Sequence, residues 1–355
     1  MEKADQKVLF ISDQGGYSRY RAPGMIRTSA GEILVYCEAR AADPGVRFLL
    51  MRRSCDGGRS FSPAEILVRP SHGEMLHNLL LLSAAGGRVI RFWCADYRFL
   101  YLSESADGGH SWGSVRDLTP VLEEYRSRYP WTMFAASCTH GIETSSGMLL
   151  VPLWLTTGIG CHYPACFASL YSTDGGRSWQ LSDPVPGTGT VVDPTVAAIA
   201  ECPDGSFLAT LRHGARDTRR RAFVRGTGTD WDTPWLNREL PDPICAGSLI
   251  SLPDGTLIFS NCAYGDEPCL ARIRSGESVK WSPDARQRLT LRSSGDSGLT
   301  WSGGLMYAAE GGYSDLASSS DGRTIYCFYE QGWIRGDSLQ NRTLSFLAVP
   351  AADIP

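Results

Sequence analysis

Ser54-Cys-Asp56-Gly-Gly58-Arg-Ser-Phe61 is a short polar stretch whose pattern returns three times further along the chain. The later copies occupy residues 105–112, 172–179 and 294–301. In each copy an Asp follows a Ser by two positions, a Gly follows the Asp by two, and an aromatic residue closes the pattern. The Asp can accept hydrogen bonds from the N–H groups of its own turn, and Gly permits a positive φ. A turn repeated in this way predicts a radial or solenoid array of similar units.

The segments around these turns read as β-strands. Apolar, β-branched and aromatic runs occupy residues 32–37, 47–51, 88–93, 148–154, 206–211, 256–260, 288–292 and 324–329. Asp-Gly pairs at 204–205, 254–255 and 321–322 predict hairpin turns between them. One short helix is predicted over 118–128. No linker divides the chain, so we expect a single all-β domain over residues 1–355, with a last strand at 342–349 that closes a ring with the first blade.

Composition and charge narrow the class of protein. The chain has 355 residues, a net charge of −4 and no basic run, which argues against a nucleic acid partner. No apolar run is long enough to cross a bilayer, and the first residues lack the apolar core of a signal peptide. We therefore expect a cytoplasmic protein, or a secreted or periplasmic one whose leader has been removed. The sequence does not indicate an oligomeric state.

Eleven cysteines are scattered along the chain, several of them within strand-like runs. An odd number without a regular spacing favours buried free thiols. Cys161-His-Tyr-Pro-Ala-Cys166 matches no common zinc spacing. We expect neither a metal nor a cofactor.

The repeated turn is similar to the Asp-box, and the chain resembles the sialidase (neuraminidase) superfamily of six-bladed β-propellers. The resemblance runs from Tyr20 to Glu330, with the family's landmarks in order. It implies a six-bladed propeller with the Asp-boxes on hairpin turns at the outer rim. Asp-boxes identify the fold and carry no chemistry, so function has to be argued from other residues.

The first blade would supply three residues of the site. Tyr20-Arg21-Ala22-Pro23 is similar to the family's Arg-Ile-Pro phrase, whose Arg binds the substrate carboxylate. Asp43, in the loop before the strand that leads to the first Asp-box, matches the family's catalytic acid/base. Arg40, three residues upstream, is expected to contact the substrate.

Two further arginines would complete a carboxylate-binding triad with Arg21. Arg212 matches the second by its place after a strand, a hairpin turn and another strand. Arg286 fits the third best, and Arg288 is the alternative. Guanidinium groups hold a carboxylate by charge-assisted and partly bidentate hydrogen bonds, and they fix its orientation for attack.

The nucleophile and its base would come from the later blades. The family shows a Tyr-Ser-Asp-Leu-like strand, here 313–316, then an Asp-Gly turn and a final phrase ending in Tyr-Glu, here Tyr329-Glu330. The resemblance implies that Tyr329 is the nucleophile. Asp193 stands where the family has the Glu that acts as base for this phenol, and its carboxylate would be shorter by about one C–C bond.

Trp131, Phe134 and His140 belong to a stretch that resembles a pocket-lining loop and strand in some bacterial relatives. They are expected to contact the sugar, with core packing as the alternative.

Together these residues predict a retaining exo-glycosidase that removes a terminal α-linked sialic acid through a tyrosyl-enzyme intermediate. The substitution at Asp193 leaves open a related acidic sugar such as Kdn or Kdo. A non-catalytic sugar-binding propeller is the third possibility, because Asp-boxes alone allow it. In every case the expected partner is a sialylated glycan or a related acidic sugar.

Overall fold

The computed structural model describes residues 5–43, 45–215, 218–264, 286–334 and 337–355, and the regular secondary structure of these ranges is almost entirely β-strand. The strands are β1 (Asp5–Ile11), β2 (Arg19–Arg27), β3 (Ile33–Arg40), β4 (Arg47–Ser54), β5 (Glu65–Val68), β6 (Leu76–Ala84), β7 (Arg88–Ala95), β8 (Phe99–Ser105), β9 (Arg116–Asp117), β10 (Met133–Ala136), β11 (Ile142–Glu143), β12 (Leu149–Thr156), β13 (Ala165–Ser172), β14 (Gln180–Leu181), β15 (Thr195–Glu201), β16 (Phe207–Arg212), β17 (Arg220–Gly226), β18 (Trp235–Pro241), β19 (Ser248–Ser251), β20 (Leu257–Cys262), β21 (Gln287–Ser294), β22 (Leu305–Glu310), β23 (Ser314–Ser318), β24 (Thr324–Ile334) and β25 (Asp337–Pro350). One α-helix, α1 (Thr119–Tyr125), and two 3₁₀ turns, Ala85–Gly87 and Ala351–Asp353, complete the described elements. The helix confirms the predicted one and is shorter at both ends.

The strands form six antiparallel sheets, which are the six blades of a β-propeller. Blade 1 has the order β2-β3-β4-β5, and blade 2 has β6-β7-β8-β9. Blade 3 has β10-β12-β13-β14 with β11 beside β12, blade 4 has β15 to β18, and blade 5 has β19 to β22. Blade 6 is built from both ends of the described chain, in the order β1-β25-β24-β23. The predicted ring closure is therefore confirmed, although β1 belongs to the sixth blade and not to the first.

Each Asp-box lies in the turn that follows the third strand of a blade, in blades 1, 2, 3 and 5. Its Ser is the last residue of that strand, as Ser105 is of β8. The Ser105 hydroxyl donates to Asp107 Oδ1 at 2.6 Å and accepts from the Gly109 N–H at 2.7 Å. Asp107 Oδ1 also accepts from the Ser111 N–H at 2.9 Å, so a single carboxylate organises the turn. These hydrogen bonds hold the pKa of Asp107 below its ordinary value.

The aromatic residue that closes an Asp-box packs against the preceding blade. Trp179 of blade 3 meets Phe92 of blade 2 with ring centroids 5.2 Å apart. Phe61 of blade 1 meets Phe346 of blade 6 at 4.9 Å. Gly58 in the same turn has a φ of 87°, and a Cβ there would lie 2.4 Å from the Phe346 ring. The box therefore needs its glycine for the backbone conformation and for the close approach of the preceding blade.

Most of the core lies between blades, where the inner strands are almost fully buried. The ten cysteines in the described ranges are free thiols, and eight of them are buried. None of the helices in those ranges is both long and apolar enough to cross a membrane.

We predict that Asp107→Ala lowers the thermal midpoint, because the N–H groups of the turn lose their shared acceptor. Asp232→Ala, at an exposed Asp outside the boxes, is the matched control and should leave the midpoint unchanged. Because the folded-state pKa of Asp107 is depressed, its contribution is present above the ordinary Asp pKa of 3.8 and is lost as the pH falls toward the folded value. Thermal melts of both variants between pH 7 and strongly acid pH test this. Equal midpoints for Asp107→Ala and wild type at pH 7 would contradict it.

Candidate functional site

The innermost strands of the propeller border a cavity at each of their two ends. The first, about 270 Å³, is lined at the start of β2 by Arg21 and Ala22 and at the start of β15 by Thr195 and Val196. The second, about 760 Å³, is lined by the opposite ends of the same strands. The smaller cavity, here called the arginine pocket, is lined by Arg21, Ala22, Glu38, Arg40, Arg47, Asn78, Tyr97, Cys138, Trp154, His162, Tyr163, Thr195, Val196, Arg212 and Tyr313. It is the strongest candidate for a site, because four cationic side chains converge on it.

Three arginines from three different blades surround one tyrosine in this pocket. The guanidinium carbon of Arg21 lies 5.7 Å from the centre of the Tyr313 ring, and that of Arg286 lies 4.9 Å from it. Burial acts to lower the pKa of Arg212, but the nearby phenols of Tyr313 and Tyr163 raise it above its ordinary value. The structure thus brings Arg21, Arg212 and Arg286 together around Tyr313.

The carboxylate of Glu330 holds Arg21 and the backbone of Tyr313 in place. Its Oε1 accepts from Arg21 Nε at 2.6 Å and from the Ala22 N–H at 3.3 Å. Its Oε2 accepts from the Tyr313 N–H at 3.1 Å and lies 4.0 Å from Arg286. The residue is 1% exposed, so this carboxylate is a buried counter-ion for two of the three arginines.

A second charged cluster lies in blades 1 and 2. Glu38 Oε2 accepts from Arg40 at 3.0 Å and from Arg47 at 3.4 Å, and its Oε1 accepts from the Asn78 N–H at 3.0 Å. Burial acts to raise the pKa of Glu38, but Arg40 and Arg47 outweigh it and hold the pKa at about 2. Arg47 also contacts His77 Nδ1 at 2.8 Å. Sequence reasoning expected Arg40 in the site and missed Arg47.

Left-handed backbone conformations occur where several inner strands begin. Ala22, Asn78, Asp193 and Ile244 have φ values of 55°, 47°, 49° and 62°, in blades 1, 2, 4 and 5. Non-glycine residues rarely adopt such values, and those that do cluster at functional sites. In β2 the irregularity between Arg21 and Gly24 shifts the register against β3, which re-aims the residues at the start of the strand.

Asp43 and Asp193 do not line the pocket. Asp43 is exposed in the loop between β3 and β4, whose flanking residues Arg40 and Arg47 do line it. Asp193 is half-buried, and its Oδ1 accepts from the Ala165 N–H at 2.9 Å. A Cβ at Gly214 would meet Asp193 Cβ and Tyr163 Cε1 at 3.4 Å each and Asp193 Oδ2 at 3.5 Å, so both side chains lie next to this glycine.

Tyr329 is not in the pocket, which contradicts the expected placement of the nucleophile. It is 0% exposed and packs among aliphatic side chains of blades 5 and 6. Its phenol oxygen has no hydrogen-bond partner among the described residues, so Asp193 does not act on it. The physical reason is strand alternation. Glu330 meets Arg21, so its neighbour on β24 has to face the opposite side of the sheet.

Tyr313, and not Tyr329, is the tyrosine whose side chain lines the arginine pocket on blade 6. The Glu330 N–H donates to the Tyr313 carbonyl at 2.9 Å, so the two residues are cross-strand neighbours. Side chains directly opposite each other project from the same face of a sheet. The signal for Tyr313 was present in the sequence, as the Tyr of the Tyr-Ser-Asp-Leu phrase.

Four other expected contacts also fall outside the arginine pocket. Arg288 is exposed with a φ of 61°, which breaks the alternation that would have placed it on the same face as Arg286. Trp131 is 1% exposed, and its indole N–H donates to the Leu122 carbonyl at 2.7 Å. Phe134 is 0% exposed and packs edge-on against Trp131. Both aromatics therefore serve the core.

His140 lines the larger cavity at the other end of the channel. Its Nδ1 lies 2.8 Å from Oδ1 of the fully buried Asp315. The same carboxylate oxygen accepts from the Ser248 hydroxyl at 2.7 Å, and its partner Oδ2 accepts from the Met25 N–H at 2.8 Å. Asp315 therefore joins blades 1, 5 and 6 and the segment that carries His140, which gives His140 a structural role.

Four aromatic side chains of the pocket wall were not expected from the sequence. His162 lies edge-on to Tyr97 and to Trp154, with ring centroids 5.2 and 5.1 Å apart. Tyr163 follows it in the loop between β12 and β13 and is 41% exposed at the pocket. Tyr97, His162 and Tyr163 lie in loops, where the sequence has no periodic pattern, so their place in the pocket could be seen only in the three-dimensional structure.

Comparison with known proteins gives the same fold and family. The BNR repeat-like domain family matches residues 71–327 of this chain. The sialidase of Micromonospora viridifaciens is 26% identical over 363 residues, which is 91% of this chain and 52% of that protein. The exo-alpha-sialidase of Arthroderma benhamiae is 26% identical over 355 residues, which is 90% of this chain and 79% of its own length. The chain thus spans about half the length of the Micromonospora relative.

Solved structures with the same fold include the Hadza microbial sialidase Hz136, with a TM-score of 0.75 and 20% identity over 96% of this chain and 67% of that one. The intramolecular trans-sialidase from Ruminococcus gnavus has a TM-score of 0.75 and 14% identity, and the match covers 100% of this chain and 99% of that one. Because the two chains are only 20% and 14% identical to this one, their similarity shows the fold alone. With the family match over most of its length, the chain belongs to the BNR repeat-like family, within the sialidase superfamily of six-bladed β-propellers.

Proposed function

We propose that this protein is an exo-glycosidase that removes a terminal α-linked sialic acid with retention of configuration, through a covalent intermediate on Tyr313. The observation that carries the proposal is the convergence of Arg21, Arg212 and Arg286 on one phenol in a pocket. The relatives named above are sialidases, which supports the same substrate class. On this proposal residues 1–355 form one propeller domain.

The three arginines would bind the carboxylate on the anomeric carbon of the sugar. They carry three positive charges against the single negative charge of Glu330, so the cluster has room for an anion. Arg212 Nε and one terminal nitrogen of Arg286 are buried without a hydrogen-bond partner among the described residues. Unpartnered buried donors are costly, and a carboxylate oxygen would satisfy them.

Tyr313 would attack the anomeric carbon. A carboxylate nucleophile would be repelled by the carboxylate of the substrate, whereas a neutral phenol is not. A free phenol has a pKa of about 10 and needs help to lose its proton. The surrounding guanidinium groups would stabilise negative charge as it develops on the oxygen.

Two aspartates would move protons. Asp43 would protonate the departing glycosidic oxygen and then activate water, from an exposed loop that joins two pocket-lining strands. Glu38 and Glu330 are engaged by arginines, and this leaves Asp193, whose side chain lies next to the same glycine, Gly214, as the pocket-lining Tyr163. We propose that Asp193 accepts the Tyr313 proton through one water molecule.

We predict that Tyr313→Phe abolishes most hydrolysis, because it removes the attacking oxygen. Tyr329→Phe is the matched control, since it deletes a phenol oxygen that lies outside the pocket. It should retain activity and raise the free energy of unfolding by about 1 kcal/mol, because a buried unpartnered hydroxyl is lost. Steady-state kinetics with a fluorogenic sialoside and urea unfolding test both variants. A Tyr313→Phe variant with wild-type activity would contradict the covalent mechanism.

We predict that Asp43→Asn slows glycosides with poor leaving groups by roughly 10²–10⁴-fold and activated aryl glycosides much less. A general acid matters most where the departing oxygen is basic. The ratio of kcat/KM for a natural sialoside and an aryl sialoside measures the effect. Equal losses on both substrates would show that Asp43 is not the acid.

We predict that Asp193→Asn approaches the defect of Tyr313→Phe, and that the double variant is no worse than either single one. Groups that act as a unit have non-additive effects. Single-turnover kinetics of the three variants would measure this. Additive losses in the double variant would assign Asp193 to holding the loop at Ala165 instead.

A further inference from the structure

The arginine pocket contains a second centre of positive charge in addition to the Arg21, Arg212 and Arg286 cluster. Arg40 and Arg47 both line the pocket, and both pair with the single carboxylate of Glu38, at 3.0 and 3.4 Å. Two cations therefore share one anion. The side chains of Arg40 and Arg47 are only 35% and 17% exposed, so water compensates the remaining charge incompletely.

The other groups around this centre do not cancel its charge. His77 Nδ1 lies 2.8 Å from Arg47, and because a guanidinium only donates, this nitrogen is the acceptor and carries no proton. Burial lowers the pKa of His77 to about 4, so the ring is neutral at physiological pH. Asp43, in the loop between the two arginines, is exposed and forms no ion pair with a described residue.

The pocket also offers donors and few acceptors. Arg40 Nε, Trp154 Nε1 and Arg212 Nε are buried without a partner among the described residues, and these are the pocket-lining side chains with unpartnered buried polar atoms there. All three atoms are N–H donors. A ligand that satisfies them has to be rich in acceptor oxygens.

We propose that the natural substrate carries a second anionic group, a sulfate or phosphate ester on the acidic sugar, which Arg40 and Arg47 bind while the carboxylate occupies the Arg21, Arg212 and Arg286 cluster. The inference rests on the proposed function and narrows its substrate class. A neutral hydroxyl at this position would leave the extra positive charge buried under the sugar without compensation, which costs free energy. An oxyanion ester compensates that charge and presents several acceptors to planar guanidinium groups.

The test is a panel of 4-methylumbelliferyl glycosides of N-acetylneuraminic acid, unmodified or with one sulfate or one phosphate ester at each free hydroxyl in turn. We expect at least one ester to exceed the parent sugar in kcat/KM by roughly tenfold or more, since hydrogen bonds to charged groups contribute that much. In Arg47→Ala this ratio should fall to about one, and Arg47→Lys, which keeps the charge, should restore part of it. Arg238→Ala, at an exposed Arg on the outermost strand of blade 4, is the control and should keep the wild-type ratio.

The outcomes separate this inference from the proposed function. If the parent is hydrolysed and no ester is preferred, the second anion site is wrong and the sialidase function stands. If no glycoside is hydrolysed, the function fails, and calorimetry with the 2,3-dehydro sugar and its esters decides the binding claim. Tighter binding of an ester that Arg47→Ala removes would support the site, and equal or weaker binding would overturn it.

Discussion

The carboxylate of Glu330 is the contact on which the rest of the site depends. It accepts hydrogen bonds from Arg21, from the Ala22 N–H and from the Tyr313 N–H, so one buried anion orients two blades against each other. A buried carboxylate is tolerated only when it is paired and fully hydrogen-bonded, and the arginines in turn depend on it as their counter-ion. Removing it would leave adjacent cations unopposed. Arg21 and Arg286 are therefore held in place by a carboxylate that is itself buried behind them.

The fold was predictable because its signal is local. Each Asp-box contains its own hydrogen-bonding groups within eight residues, so Ser, Asp and Gly at fixed spacing predict a turn without knowledge of what packs against it. Ring closure followed from the strand-like run near the end of the chain. The pairing of β1 with β25 in blade 6 was not predictable, because the sequence of residues 5–11 does not indicate which strand they pair with.

The site was predictable only in part, and the errors have physical causes. Choosing between Tyr313 and Tyr329 requires knowing which face of β24 looks into the channel. The position of Glu330 decides this, because adjacent residues of a strand project from opposite faces of the sheet, so Tyr329 cannot share the face of Glu330. Arg288 failed because a left-handed residue breaks the two-residue period. Arg47 and Trp154 of the pocket wall, and His77 beside Arg47, could not be predicted at all, because they come from different strands and blades and meet only in space.

The closure of the ring by β1 has a consequence for how the protein is made. Asp5–Ile11 leaves the ribosome before the other described strands, yet its partner β25 follows all of them. Until then β1 has no edge to pair with, and blade 6 lacks its outer strand. Tyr313 and Glu330 belong to that same blade, so the blade that closes the ring also carries part of the arginine cluster. Closing so long a loop costs chain entropy that only the finished ring repays. A nascent chain cut short before β25 would thus have five complete blades and an open ring.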